Sequence, residues 1–234
     1  MLDTTFWKHY FEVYDLLNEL TPYQELLDGI CARVNIHTGD RVLDLGSGTG
    51  NLSMKLERFG ARVAGVDFSK EGIEMHKSKS SSTELIHADI TQPLPFPDAY
   101  FDAVVSNNVL YAISRDIRPR VAQEMYRVLK PGGRIVISNV IDGFNPQVIY
   151  FDHVAYSFKE RGIFKTIGDI LLLSWPTLKI LYYNHLISKE HEQGSYDFFK
   201  AGEQQWLLID AGFRDVSPDE HVYCKQGVMN YASK

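Results

Sequence analysis

The chain has 234 residues, 44% of them hydrophobic and 23% charged, which suits one substantial domain with a buried core and argues against a disordered chain. Its formal net charge of −6 supplies no global basic field for nucleic acid, so the expected partner is a small molecule. The two cysteines, Cys31 and Cys224, have no metal-ligand spacing with histidine, so no metal is expected; the first eight residues lack a signal-peptide pattern, so a cytoplasmic location is expected.

Phe6, Trp7, Tyr10, Phe11, Tyr14 and Leu17 recur at helical spacing and predict an amphipathic first helix. Thr21-Pro22-Tyr23-Gln24 predicts a second helix, with Thr21 as its cap, Pro22 at its first position and Gln24 closing a capping box. Tyr23, Leu26, Leu27, Ile30 and Val34 make its apolar face. From Arg41 onward strands and helices alternate. Val42-Leu43-Asp44-Leu45 is a short apolar strand that ends at glycines. Leu52, Leu56 and Phe59 fall on one helical face, and Gly60 is the stop. Val63 to Val66 is a second strand, Gly72 to Lys79 a short helix, Leu85 to His87 a third strand and Ala103 to Ser106 a fourth. Val121, Ala122, Met125, Val128 and Leu129 mark a helix that Pro131-Gly132-Gly133 ends, and Ile135 to Ser138 is a fifth strand. The fold class expected is α/β: a Rossmann-like, mostly parallel sheet with helices on both faces.

The rhythm then breaks. Residues 141–205 are rich in aromatics, including Phe144, Tyr150, Phe164, Trp175, Tyr183 and Phe198, and are read as a helical lid inserted before the last strands. Their most apolar stretch, Ile170 to Leu178, is too short to span a bilayer and contains Pro176. Trp206 to Gly212 is one more helix; Arg214 to Ser217 and His221 to Tyr231 are read as a terminal pair of strands. The division is thus N-terminal helices over 1–36, a cofactor-binding core over 37–140, the lid over 141–205 and the last helix and strands over 206–234, all one domain.

The turn Asp44-Leu45-Gly46-Ser47-Gly48-Thr49-Gly50 lies between the first strand and the next helix. Glycines there admit a ligand close to the backbone, and the helix start offers free N–H groups and a partial positive charge. Alone this is a weak sign, but three further features stand in register. Asp67 ends the second strand about 20 residues on, where an acid can accept from ribose hydroxyls. Asp89 follows the third strand, where a carboxylate can accept from the amine of adenine, with Ile90 beside the ring. Asn107 follows the fourth strand and reaches the central cleft. Any one acid could be a loop or cap residue, and Asp89 alone reads equally well as one, but chance poorly explains the four features in order. A nicotinamide cofactor is the alternative, but Gly46-x-Gly48-x-Gly50-Asn51 lacks the final glycine of G-x-G-x-x-G.

Val42 to Gly50, Val66-Asp67-Phe68-Ser69, Ala88-Asp89-Ile90, Leu94-Pro95-Phe96-Pro97, Phe101 to Val104 and Arg127 to Gly133 together resemble the successive motifs of class I S-adenosylmethionine (SAM) dependent methyltransferases. The nearest group is the small-molecule type that includes the ubiquinone and menaquinone C-methyltransferases. The resemblance runs from residue 10 to 139 and returns at Ala211-Gly212-Phe213. It implies a seven-stranded sheet with the last strand antiparallel. It also implies that Gly46, Ser47, Gly48 and Gly50 approach the methionine part of SAM, with Asp44 holding its amino group through water. Asp67 would meet the ribose, Asp89 and Ile90 the adenine, Phe68 would also touch the cofactor, and backbone near Asn107 would complete the methionine site. Tyr14 and Tyr23 resemble tyrosines that close over the cofactor.

SAM carries an already activated methyl group, so the protein's task is alignment in a dry cavity, and transfer is expected as an in-line displacement. A neutral acceptor must lose a proton, which admits a general base. His153, His185 and His191 are the candidates in the lid, although a packing or surface histidine is the plainer reading of each. Ala112 stands where related enzymes often carry histidine, so Tyr111 is assigned to the acceptor pocket instead, with Tyr150 and His153. The aromatic lid favours an apolar acceptor, and Phe164 to Ile187 with Lys165, Lys179 and Lys189 admits peripheral contact with a membrane. The expectation is a SAM-dependent methyltransferase. Its rivals are an NAD-dependent oxidoreductase and a non-catalytic SAM-binding protein.

Overall fold

Val42 to Leu45 and Val63 to Asp67 are buried without a break, because their strands are covered on both faces. Alternate residues feed two separate cores. Leu43, Leu45, Ala64, Val66, Val104, Ile135 and Ile137 enter one; Val42, Val63, Ala103, Val105 and Val136 enter the other.

The computed structural model describes residues 6, 9–11, 15, 18, 20–164, 166–168, 170, 178–179, 182–183, 185–186, 189 and 197–234. In chain order the elements are α1 (Thr21–Val34), β1 (Arg41–Leu45), α2 (Asn51–Arg58), β2 (Arg62–Asp67), α3 (Lys70–Lys79), β3 (Glu84–His87) and β4 (Phe101–Asn107). They continue as a 3-10 turn (Leu110–Ala112), α4 (Arg118–Val128), β5 (Leu129–Val140), α5 (Pro146–Arg161), α6 (Glu203–Asp210), β6 (Glu220–Val222) and β7 (Gly227–Ser233). The seven strands order as β3-β2-β1-β4-β5-β7-β6. β1 to β5 run parallel, and β7 is antiparallel to both its neighbours. Strand order reverses between β1 and β4, which opens a crevice at their carboxyl ends.

Helices α1 and α2 cover one face through Leu26, Leu27, Ile30, Val34, Leu52 and Leu56. Helices α4 and α6 cover the other through Val121, Met125, Val128 and Leu208. Arg127 ties the loop before β4 to α4: its guanidinium donates to Phe96 O at 2.8 Å, Leu94 O at 3.1 Å and the Asp98 carboxylate at 2.8 Å. That gives the Leu94-Pro95-Phe96-Pro97 motif a structural task.

Several expectations are corrected. Thr21 is the first helical residue and Leu20 the cap; the Gln24 amide turns to Asn18, so no capping box forms. Phe59 is 55% exposed, because α2 stops at Arg58 and Phe59 lies past its end. Pro131 to Gly133 do not end α4, which already stops at Val128; β5 starts at Leu129 and runs through them, with a register shift opposite Phe101 to Ala103. Arg214 to Ser217 is not a strand but a single bridge from Arg214 to Ser233; the terminal pair is β6 and β7. Of the first helix, Phe6, His9, Tyr10 and Phe11 are helical, while Trp7, Tyr14 and Leu17 lie outside the described residues. Between 146 and 189 the described residues are helical apart from Gly162.

Candidate cofactor site

β1 ends at Leu45, and the backbone turns into α2 through Gly46, Gly48 and Gly50, all at positive φ. Gly46 has φ +81, and a Cβ there would sit 2.2 Å from Val109 Cγ2, so the loop after β1 is pressed onto the loop after β4. Gly50 caps α2; a Cβ on it would fall 2.2 Å from the buried ring of His76.

The loop is also tied to β2. The N–H groups of Gly46 and Ser47 donate to Val66 O at 2.7 and 3.0 Å. The N–H of Gly48 donates to Asp67 Oδ2 at 2.8 Å, and that of Ser69 to Asp67 Oδ1 at 2.8 Å. Burial pushes the Asp67 carboxyl up, against the pull of these two N–H groups. Asp44 lies deeper. Burial raises its carboxyl to about 7, opposed by the Ser53 hydroxyl, which donates at 2.6 Å, and reinforced by the charge of Asp67. Two carboxyls with raised pKa face one cavity, an arrangement suited to a cationic ligand.

That cavity encloses about 1470 Å³, counting the space open to solvent at its mouth. Asp44, Gly46, Ser47, Asp67, Phe68 and Ile90 line it from the ends of β1, β2 and β3. Tyr111, Phe144, Ile149, Tyr150 and Phe198 line it from beyond β4 and β5. Asp44 and Asp67 come from β1 and β2, whereas Tyr111, Phe144 and Phe198 come from segments that follow β4 and β5, across the reversal of strand order. The Ser47 hydroxyl and the Asn51 amide nitrogen are buried at the loop with no hydrogen-bond partner among the described residues. Among the described lining residues, Asp44 and Asp67 are the acids, and none is histidine, lysine or arginine.

Tyr23, Asn107 and Gly48 also line the cavity, so it gathers most residues proposed from sequence. The Asn107 amide oxygen accepts from the Ser138 hydroxyl at 2.6 Å. Gly50 is not among the lining residues and shapes the start of α2 instead. Asp89 is exposed, does not line the cavity, and accepts from the Thr91 N–H and hydroxyl at 2.9 and 2.8 Å. His153 is 1% exposed on α5; its Nδ1 accepts the Thr21 N–H at 3.1 Å, fastening α5 to α1, and it does not line the cavity. His185 is exposed and does not line it either. Tyr14 and His191 lie outside the described residues.

Sequence reasoning did not single out Tyr10, Phe11, Val109 or Tyr223, all of which line the cavity. Tyr10 and Phe11 carry a signal as apolar helix positions, but nothing local shows that both line the cavity and that Phe11 packs on Gly48. Tyr223 reaches the cavity because Tyr223, Cys224 and Lys225 all adopt left-handed φ between β6 and β7, which no glycine announces. No helix among the described residues is long and apolar enough to cross a membrane, and no described cluster of His, Cys, Asp and Glu could hold a metal ion.

A methyltransferase-domain family model matches residues 43–137. The chain is 35% identical over 189 residues to the demethylmenaquinone methyltransferase of Tropheryma whipplei (strain Twist), covering 80% of this chain and 72% of the relative. It is 31% identical over 185 residues to the ubiquinone/menaquinone biosynthesis C-methyltransferase UbiE of Geotalea daltonii, covering 75% of this chain and 71% of the relative. Among solved structures, a SAM dependent methyltransferase from Aquifex aeolicus superposes with a TM-score of 0.61 at 17% identity, covering 99% of this chain and 98% of that one. This last likeness is one of fold.

Proposed function

The chain belongs to the SAM-dependent methyltransferases of the ubiquinone/menaquinone C-methyltransferase group, and from that premise we propose that it methylates a small apolar ring compound held at the aromatic end of its cavity. The carrying observation is one cavity lined both by two buried acids from β1 and β2 and by Tyr111, Phe144 and Phe198 from beyond β4 and β5. The acid end suits SAM. Positive-φ glycines leave room beside the backbone, and the Ser47 hydroxyl and the Asn51 amide nitrogen, which have no partner among the described residues, offer polar contacts to the methionine part. Asp44 faces the amino group, Asp67 the ribose hydroxyls, and Phe68 and Ile90 the adenine faces. The role of Asp89 toward the adenine amine rests on its place before Ile90.

SAM supplies a methyl group on a positively charged sulfur, which becomes a neutral thioether on transfer. The chain aligns the acceptor and excludes water. The names of the relatives point to a demethylated quinone, whose electron-rich form is the reduced quinol. There a ring carbon gains the methyl group and loses its proton to solvent. Methyl-labelled SAM and a short-chain demethylmenaquinol test the reading. Label recovered in the ring-methylated product supports it, and none there with label passing to a polar amine instead would overturn it.

The same reading includes peripheral contact with a lipid surface, where such an acceptor resides. Phe158 and Phe164 are 59% and 89% exposed, beside Lys159 and Arg161. Flotation with anionic vesicles checks it; a chain left wholly in the soluble fraction would count against it.

A further inference from the structure

Arg118 begins α4, yet its side chain is 2% exposed. A buried guanidinium must find partners for its donors. Here they come from two segments far apart in sequence. Nε donates to Leu110 O at 3.0 Å and to Ile113 O at 3.1 Å, closing the 3-10 turn that carries Tyr111. Nη2 donates to Asp197 O, beside Phe198, and Nη1 lies 3.3 Å from the Glu203 carboxylate at the start of α6. The guanidinium also stacks over the Phe199 ring at 4.1 Å. The joined segments touch each other directly: the Asp197 N–H donates to Tyr111 O at 3.1 Å, and the Tyr111 and Phe198 rings lie 5.6 Å apart. Both rings line the cavity, whereas Arg118 does not.

We propose that Arg118 is a positioning residue for the acceptor. It clamps the turn after β4 to the strand-like segment before α6, and so fixes the Tyr111–Phe198 wall against which an apolar ring is held. The inference rests on the acceptor reading above. A lysine could keep the charge but not the fork that spans three carbonyls and a carboxylate at once. The cofactor end, built on β1 and β2, receives no bond from Arg118.

The test compares the full-length wild type with Arg118→Lys and Arg118→Met. Menadione serves as a naphthoquinone probe, titrated with S-adenosylhomocysteine present, and SAM is titrated separately. Menadione affinity is expected to fall about tenfold in Arg118→Met and less in Arg118→Lys, while SAM affinity stays within about twofold. Hydrogen exchange is expected to quicken at Leu110–Ile113 and Asp197–Lys200, and to stay unchanged at Asp44–Ser53. Parallel losses of SAM and menadione affinity, or equal exchange at all three segments, would overturn the proposal. Should Arg118→Met fail to fold, Arg118→Lys and Glu203→Gln carry the same comparison. A wild type that does not bind menadione would sink the acceptor reading, and the exchange pattern would still decide whether Arg118 holds the wall.

Discussion

The carboxylate of Asp67, at the end of β2, accepts the backbone N–H of Gly48 at 2.8 Å, so the acid and the glycine loop of β1 form one unit. Asp67 therefore has two tasks, shaping the loop and facing the cavity. Asp67→Asn removes the charge but keeps the size and one accepting oxygen. SAM affinity is expected to fall about 10- to 100-fold, on the scale of one charged hydrogen bond or more. The melting temperature should fall as well, because the amide nitrogen must face the N–H of either Gly48 or Ser69 and leaves that buried donor without an acceptor. Asp89→Asn should cost far less, since Asp89 is exposed and engaged with Thr91. Calorimetric titration of both variants with SAM decides the order; equal losses would place the two acids on one footing.

On the proposed reading, Asp44 should make SAM binding depend on pH. Its carboxyl is raised from an ordinary 3.8 to about 7, so the folded chain holds a proton there that the unfolded chain has released. The stability linked to that proton is fully present below the ordinary value and is lost as pH rises through about 7. Ligand binding runs the other way, because the methionine amino group prefers the carboxylate. Affinity for SAM should climb from about pH 6 to about pH 8, by at most about tenfold per unit on the acid side, with protons released on binding. Titrations in buffers of different ionisation enthalpy measure that release. A flat profile in the wild type, or an unchanged slope in Asp44→Asn, would remove Asp44 from this role.

The cofactor end was legible in the sequence because each part of it is local. A strand that ends at a glycine turn, and an acid that ends the next strand, take their geometry from a few neighbouring residues. Asp44, Gly46 and Asp67 lie in the cavity for that reason. Pro22 marks a helix start one residue later than α1 takes, because proline fits equally at the second helical position, where its missing N–H costs nothing. The Thr21 hydroxyl, free to cap in a sequence reading, lies 3.3 Å from His153 Nδ1, 132 residues away. The acceptor end was only half legible. Its aromatics were visible as composition, but which of them face inward depends on remote ties such as Arg118 to Asp197. Tyr223 depends on a left-handed turn without glycine.

Gly46 and Val109 should be coupled. In Gly46→Ala the new Cβ would lie 2.2 Å from Val109 Cγ2, at a φ of +81 that alanine disfavours. Left-handed backbone costs about 1–2 kcal/mol and overpacking about 1–3 kcal/mol, so a loss of about 2–5 kcal/mol is expected. Adding Val109→Ala should recover the packing part and leave the backbone part. Urea melts of the two single variants and the double one give the interaction energy. Strict additivity would show that the loop yields without touching Val109.

The N-terminal segment is latched to the glycine loop by Asp15. Its carboxylate accepts the Thr49 hydroxyl at 2.6 Å and pairs with Lys79 Nζ at 2.5 Å. From the same segment, Tyr10 and Phe11 line the cavity, and Phe11 packs against Gly48. SAM should therefore leave faster when the latch is weakened. Lys79 also donates to Thr49 O at 2.9 Å, so replacing it would disturb the loop itself, and Asp15→Asn is the cleaner change. The Lys79 and Asp15 side chains are 22% and 30% exposed, which limits the pair to about 1 kcal/mol, or roughly a fivefold rise in release rate. High salt should speed release from the wild type and leave Asp15→Asn less affected, because the variant has no charge pair to screen. Stopped-flow release measured at low and high salt separates the ionic part from the Thr49 hydrogen bond. Identical release rates in the two proteins at low salt would mean that Asp15 does not hold the segment over the cofactor.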